Sequence, residues 1–248
     1  MTEPKAVLVI AGSDSSGGAG IARDIRVLAH CGVDALCAVT AVTAQTNSRT
    51  GSVHHIPAAS IRDQISAAFA TRNIHAIKIG MLGTATTVTA VAASLFEPAP
   101  PIVIDPVLAA SSGGVLLDSV GIESMRQLLL PRAALFTPNI PEAATLLDEA
   151  PATDVATMLE QAQRLLRMGP RAVLLKGGHV RSEEAVDVLV WGDGESLILA
   201  SPRSAARRRG TGCAFASATA ASLAHGASVS EACRSAKRYV VDWFNSPA

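Results

Sequence analysis

The sequence predicts an α/β fold, a central and mostly parallel sheet flanked by helices on both faces, as one domain over residues 1–248. Three observations predict it. Short β-branched runs without polar alternation, such as KAVLVIA at 5–11 and AVLL at 172–175, suit strands covered on both faces, the condition of a parallel sheet. These runs alternate with longer segments whose apolar residues recur at helical spacing. Polar residues collect where the strand-like runs end: Asp105, Asn139 with Glu142, Lys176 and then Cys213. Ligands bind at that carboxyl edge in open α/β sheets.

In chain order, the strand 5–11 is followed by a glycine-rich turn from Gly12 to Gly20 and a helix over 21–30. The turn is neither of two common phosphate loops. Gly18 stands where a Walker A loop needs its lysine, and Arg23 stands where a dinucleotide fingerprint needs its third glycine. Next come a strand over 33–42, a loop holding Gln45, and a helix over 60–71. The apolar runs 75–79 and 102–104 end in Gly80-Met81-Leu82-Gly83 and in Asp105-Pro106. A helix over 119–130 leads to the strand 133–136 and then to Thr137-Pro138-Asn139-Ile140-Pro141-Glu142, where Pro141 opens another helix. A helix over 155–168 precedes the strand 172–175, which closes on Lys176-Gly177-Gly178-His179. Gly192-Asp193-Gly194 between the runs 186–191 and 196–199 signals a hairpin. Two helices end the chain.

Composition narrows the function classes. With 49% apolar and 17% charged residues the chain is globular, and 21 basic against 21 acidic residues leave no net field to attract nucleic acid or a membrane surface. Aromatics at 3% supply no base-stacking platform. The N-terminus lacks the pattern of a signal peptide, no apolar run reaches transmembrane length, and the four cysteines form no CxxC pair. A cytoplasmic protein with reduced thiols is expected.

The chemistry is expected at Gly210-Thr211-Gly212-Cys213, directly before an alanine-rich helix. Two glycines around a hydroxyl residue leave several backbone N–H groups pointing at one spot with the helix dipole behind them, an anion hole. Cys213 falls in the first turn, where that field favours a thiolate able to act as base or nucleophile near neutral pH. A small buried apolar cysteine in an ordinary capped loop is the other reading. Together with Asp105, Glu142 and Lys176, the hole suggests phosphoryl transfer, in which placed charge does most of the work. Glu142, backed by Asn139, suits Mg²⁺ held through water, and Lys176 suits phosphate.

The segments GSDSSGGAGI (12–21), TAQ (43–45), IKIGML (77–82), DPV (105–107), TPNIPEA (137–143), LLKGGH (174–179) and GTGC (210–213) together resemble the bacterial hydroxymethylpyrimidine/phosphomethylpyrimidine kinases of thiamine biosynthesis. The resemblance spans nearly the whole chain. It implies a ribokinase-like domain, ATP with Mg²⁺, a homodimer, and phosphorylation of 4-amino-5-hydroxymethyl-2-methylpyrimidine and then of its monophosphate. It implies that Gln45 hydrogen-bonds the pyrimidine, with Gly12 and Ala19 on the pocket wall and Val42, Met81 and Val107 around the ring. Cys213 matches the catalytic base, Lys176 a phosphate-side lysine, and Asn139 with Glu142 the N-x-x-E element of Mg²⁺ and phosphate. Asp105 is assigned to the nucleotide and phosphate side.

Two stretches depart from the family pattern. Arg207-Arg208-Arg209 replaces a His- or Thr-rich approach to the anion hole, and Thr46-Asn47 reverses the usual Asn-Thr. The arginines read either as a solvated loop or, for Arg209, as a contact to the phosphate of ATP or of the monophosphate substrate. Asp24, one turn into the first helix, reads as a solvated first-turn acid or as a pocket residue. Pyridoxal or pyridoxine kinase activity and a nonenzymatic nucleotide-binding regulator are the alternative functions on the same fold.

Overall fold

A computed structural model describes residues 3–46, 49–109, 114–178, 184–204 and 208–246. Among the described residues nine strands form one sheet: β1 (Ala6–Asp14), β2 (Asp34–Gln45), β3 (Thr50–His55), β4 (Ala76–Ile79), β5 (Ile102–Ile104), β6 (Leu135–Phe136), β7 (Ala172–Lys176), β8 (Glu184–Trp191) and β9 (Glu195–Pro202). Their order is β3-β2-β1-β4-β5-β6-β7-β8-β9. Strands β2 through β7 in this order pair in parallel, while β3, β8 and β9 join antiparallel at the edges. The α-helices among the described residues are α1 (Gly20–His30), α2 (Ala58–Thr71), α3 (Ala85–Ser94), α4 (Ser119–Leu128), α5 (Ile140–Leu147), α6 (Val155–Leu166), α7 (Thr211–Ala224) and α8 (Val229–Asn245).

The period-2 geometry of a strand explains the two cores. Along β1, Ala6, Leu8 and Ile10 enter one apolar cluster, which holds Ile61, Val91, Met125, Leu146 and Leu165 from α2 through α6. Val7, Val9 and Ala11 enter the other, with Val27 of α1, the alanines of α7, and Cys233 and Val240 of α8. The apolar run thus has no polar alternation because both faces are covered, and each fully buried Leu or Ile contributes about 1.5–3 kcal/mol.

Two elements differ from the sequence expectation. Residues 50–55 form an edge strand, and 85–94 form a helix whose Thr84 side chain accepts from the Thr87 N–H. Gln45 closes β2 instead of sitting in a loop. Among the described residues no helix is long and apolar enough to cross a membrane. The chain runs from β1 to β2 on one side and then crosses to β4 on the other, so the switch point lies between β1 and β4. That crevice receives the glycine-rich turn, Gly80-Met81 and the start of α7.

Candidate active site

The start of α7 is uncapped. Gly210, at φ 75°, occupies the N-cap position, and among the described residues no side chain caps the first turn that carries Thr211, Gly212 and Cys213. Gly210 allows a close approach as well as a left-handed backbone: a Cβ there would lie 2.3 Å from the Gly18 carbonyl and 3.2 Å from Ala19 Cα. The glycine-rich turn and the anion hole are therefore stacked. On the other side, a Cβ at Gly212 would lie 3.1 Å from Lys176 Nζ and 3.3 Å from an Asp105 carboxylate oxygen.

Lys176 and Asp105 form an ion pair of 2.7 Å at the ends of β7 and β5. Burial opposes the charge on Lys176, but the Asp105 and Glu142 carboxylates win and hold its ammonium above the usual lysine range. Asn139 and Glu142 form a reciprocal capping box at the start of α5: Asn139 Oδ1 accepts from the Glu142 N–H at 2.9 Å, and Glu142 Oε2 accepts from the Asn139 N–H at 2.8 Å. Glu142 is buried, and burial pushes its carboxyl up while Lys176 acts against that shift. Its role at the helix start is thus real, and it stands in the same field as Lys176 and Asp105.

The geometry corrects the expectation that helix position alone favours a Cys213 thiolate. Burial pushes the Cys213 thiol up to about 11; Lys78 and the Gly20 N–H pull it down, while Asp24 and Asp105 push it further up. Desolvation of the anion outweighs the dipole and donors here. Without ligands, Cys213 rests as a thiol near neutral pH.

The apolar residues expected around a ring divide into two groups. Met81 and Val107 pack with Ala41, Leu116 and Val53 in a small cluster separate from both main cores. Val107 has φ 42°, a strained backbone for a β-branched residue. Gly12 lies against Met81, whose sulfur would be 2.9 Å from an added Cβ. Ala19 is the N-cap of α1. Val42 is exposed at 46% and lies outside the Met81 and Val107 cluster.

Gln45 donates from Nε2 to Thr43 Oγ1 at 2.7 Å and accepts at Oε1 from Arg209 Nη2 at 2.8 Å. The Arg209 fork also reaches Ser16 Oγ at 3.0 Å, the Thr46 carbonyl at 2.8 Å and, as an ion pair at 3.4 Å, Asp14. Arg208 turns the other way, to the Ser246 carbonyl and the Trp243 ring. Arg207 and His179 lie outside the described residues.

Sequence reasoning missed Lys78. It is fully buried on β4 and pairs with Asp24 at 2.9 Å, while Ser217 donates to the other Asp24 oxygen at 2.8 Å. Burial opposes its charge, yet Asp24 holds the ammonium above the usual range. Asp24 is correspondingly no solvated first-turn acid: it is 0% exposed and ties α1 to β4 and α7. Ser217 stands one helical turn beyond Cys213, so this network supports the face of α7 that carries the cysteine. The signal available in the sequence was a lysine inside an otherwise apolar strand, IKI at 77–79.

A family model described as phosphomethylpyrimidine kinase matches residues 14–246. The thiamine biosynthesis bifunctional protein of Geobacter sulfurreducens is 42% identical over 94% of this chain, which spans 48% of that longer protein. The hydroxymethylpyrimidine/phosphomethylpyrimidine kinase of Rhizobium meliloti is 40% identical, covering 94% of this chain and 88% of its own. Among solved structures, the ADP complex of Bacillus subtilis pyridoxal kinase superposes with a TM-score of 0.90 at 33% identity, over 96% of this chain and 91% of that one. With the sheet edge, the uncapped α7 and a match this long, the chain belongs to the phosphomethylpyrimidine kinase family and is a kinase.

Proposed function

We propose that the protein transfers the γ-phosphoryl group of ATP to the hydroxymethyl oxygen of 4-amino-5-hydroxymethyl-2-methylpyrimidine, and then a second phosphoryl group to the resulting monophosphate. The observation that carries this reading is the placement of the uncapped first turn of α7 directly against the Lys176–Asp105 pair. The uncapped backbone donors and the half-buried Lys176 ammonium lie side by side there, an arrangement suited to a transferring phosphoryl group. Relatives bearing this activity in their names, across most of the chain, support the substrate.

Cys213 takes the hydroxymethyl proton, the freed oxygen bonds to the γ-phosphorus, and the bond from that phosphorus to the bridging oxygen breaks, releasing ADP. The N–H groups of Thr211, Gly212 and Cys213 hold the equatorial oxygens, and Lys176 and Asn139 serve the phosphate side with Asp105 orienting Lys176. Gln45 reads the pyrimidine edge, while Gly12, Ala19, Val42, Met81 and Val107 wall the ring. The donor set fits Mg²⁺: the Glu142 carboxylate accepts from the backbone N–H groups of Asn139 and Leu108 and keeps lone pairs for a metal-bound water, and Mg²⁺ prefers few carboxylates. When bound, the ion neutralises phosphate charge. Assembly as a homodimer and work in the cytoplasm follow from the family resemblance.

The ADP-bound pyridoxal kinase neighbour favours a second reading, phosphorylation of pyridoxal in the same pocket. Cys213→Ala tests the mechanism. Transfer of labelled γ-phosphate to the hydroxymethylpyrimidine should fall by about 10² to 10⁴ in kcat with little change in KM. Full activity in that variant would remove Cys213 from the reaction.

A further inference from the structure

Arg209 stands next to the anion hole in the chain, yet its guanidinium reaches the opposite wall of the site. Both terminal nitrogens are engaged: Nη1 with Ser16 Oγ and the Thr46 carbonyl, Nη2 with Gln45 Oε1 and the Asp14 carboxylate. Its side chain is 20% exposed, and that of Asp14 is 4% exposed. Asp14 Oδ1 accepts from the Ser16 N–H and hydroxyl, whereas Oδ2 is buried and, among the described residues, has no hydrogen bond and only the Arg209 cation beside it. The carboxylate therefore holds the cation in place, and the cation holds Gln45.

The other end of the Gln45 amide is fixed as well. Thr43 Oγ1 donates its proton to the Ser13 carbonyl at 3.0 Å, so toward Gln45 it can only accept. A flipped amide would set Nε2 against the Arg209 N–H and Oε1 against the Thr43 lone pair, two repulsive contacts in place of two hydrogen bonds. One amide orientation survives. It leaves one lone pair on Oε1 and one N–H on Nε2 for a ligand, an acceptor beside a donor. An aminopyrimidine presents the complement, an amino N–H beside a ring nitrogen lone pair; a pyrimidinone presents the reverse.

We propose that Arg209 is a specificity-determining residue: it locks the orientation of the Gln45 amide for an amino-bearing ring. The proposal rests on Gln45 as the reader of the pyrimidine edge. A site built around paired donors and acceptors rejects a ligand with the reversed pattern strongly, because buried polar groups are then left facing their own kind.

The test compares kcat/KM for the 4-amino substrate with kcat/KM for its 4-oxo analogue, in the native protein, Arg209→Met and Arg209→Lys. Arg209→Lys keeps a cation beside Asp14 but has no fork to share between Asp14 and Gln45. The preference for the amino substrate is expected to fall about tenfold or more in both variants, with KM for ATP unchanged. An undiminished preference in both overturns the proposal, as does a preference retained in Arg209→Lys alone, which would leave only charge. A rise in KM for ATP with the preference intact would overturn it in favour of a phosphate contact. Gln45→Ala separates the underlying reading: a preference that survives that substitution shows that Gln45 does not read the ring, whatever Arg209 does.

Discussion

In the first turn of α7, two effects act on Cys213 in opposite directions. The helix N-terminus, the Gly20 N–H and the Lys78 ammonium favour the thiolate, and desolvation beneath the stacked loops disfavours it. Desolvation wins, setting the thiol at about 11. The dipole of an exposed helix end contributes about 0.3–1 kcal/mol, too little to offset burial of an anion. The sign for catalysis follows: a base is active only when deprotonated, so the thiolate fraction rises about tenfold per pH unit below 11. The rate of the first phosphorylation is expected to climb between pH 7 and pH 9, and site-resolved alkylation of Cys213 in the ligand-free protein should climb in parallel. A flat alkylation profile across that range would show that Cys213 is already a thiolate. Position in a helix was legible in the sequence, whereas the surroundings of Cys213 were not, since Gly20, Asp24, Lys78 and Asp105 reach it from distant parts of the chain.

At the scale of elements, the contrast between what was and was not legible follows local sequence. Strand β1 is readable because VLVI is buried on both faces, and the capping box of α5 is readable because Asn139 and Glu142 stand three apart. Strand β3, TGSVHH, carries one inward apolar residue, Val53, and forms by pairing with β2. Helix α3, ATTVTAVAAS, is rich in β-branched residues of low helix propensity and is held by packing of Val88 and Val91. Asp24 and Lys78 lie 54 residues apart in sequence, a pairing that no local pattern announces. This pair couples α1, β4 and α7 in the fully buried core. Removing one partner leaves an unpaired buried charge, so Lys78→Met is expected to destabilise the protein by about 3–5 kcal/mol, and Asp24→Asn with Lys78→Met together to recover much of the loss. Denaturant unfolding measures both. Equal stability of the single variant and the parent would show that the pair is not a structural tie.

Across the whole molecule, the parallel sheet brings the ends of β1, β2, β4, β5, β6 and β7 to one edge, so residues separated by most of the chain meet there. The list of polar residues at strand ends located the edge from sequence, because a strand that is buried along its length exposes function only where it stops. Which of those residues touch was not legible: Arg209 reaches Gln45 across 164 positions, and Lys176 reaches Asp105 across 71. The substrate choice is the claim on which the rest depends, since a pyridoxal kinase and a phosphomethylpyrimidine kinase share this fold. The most direct measurement is product-resolved kinetics of the purified protein with ATP and, in turn, hydroxymethylpyrimidine, its monophosphate and pyridoxal. Phosphorylation of both the pyrimidine and its monophosphate is expected, with pyridoxal the poorer substrate by kcat/KM; phosphorylation of pyridoxal alone, or of none of the three, would contradict the proposed function.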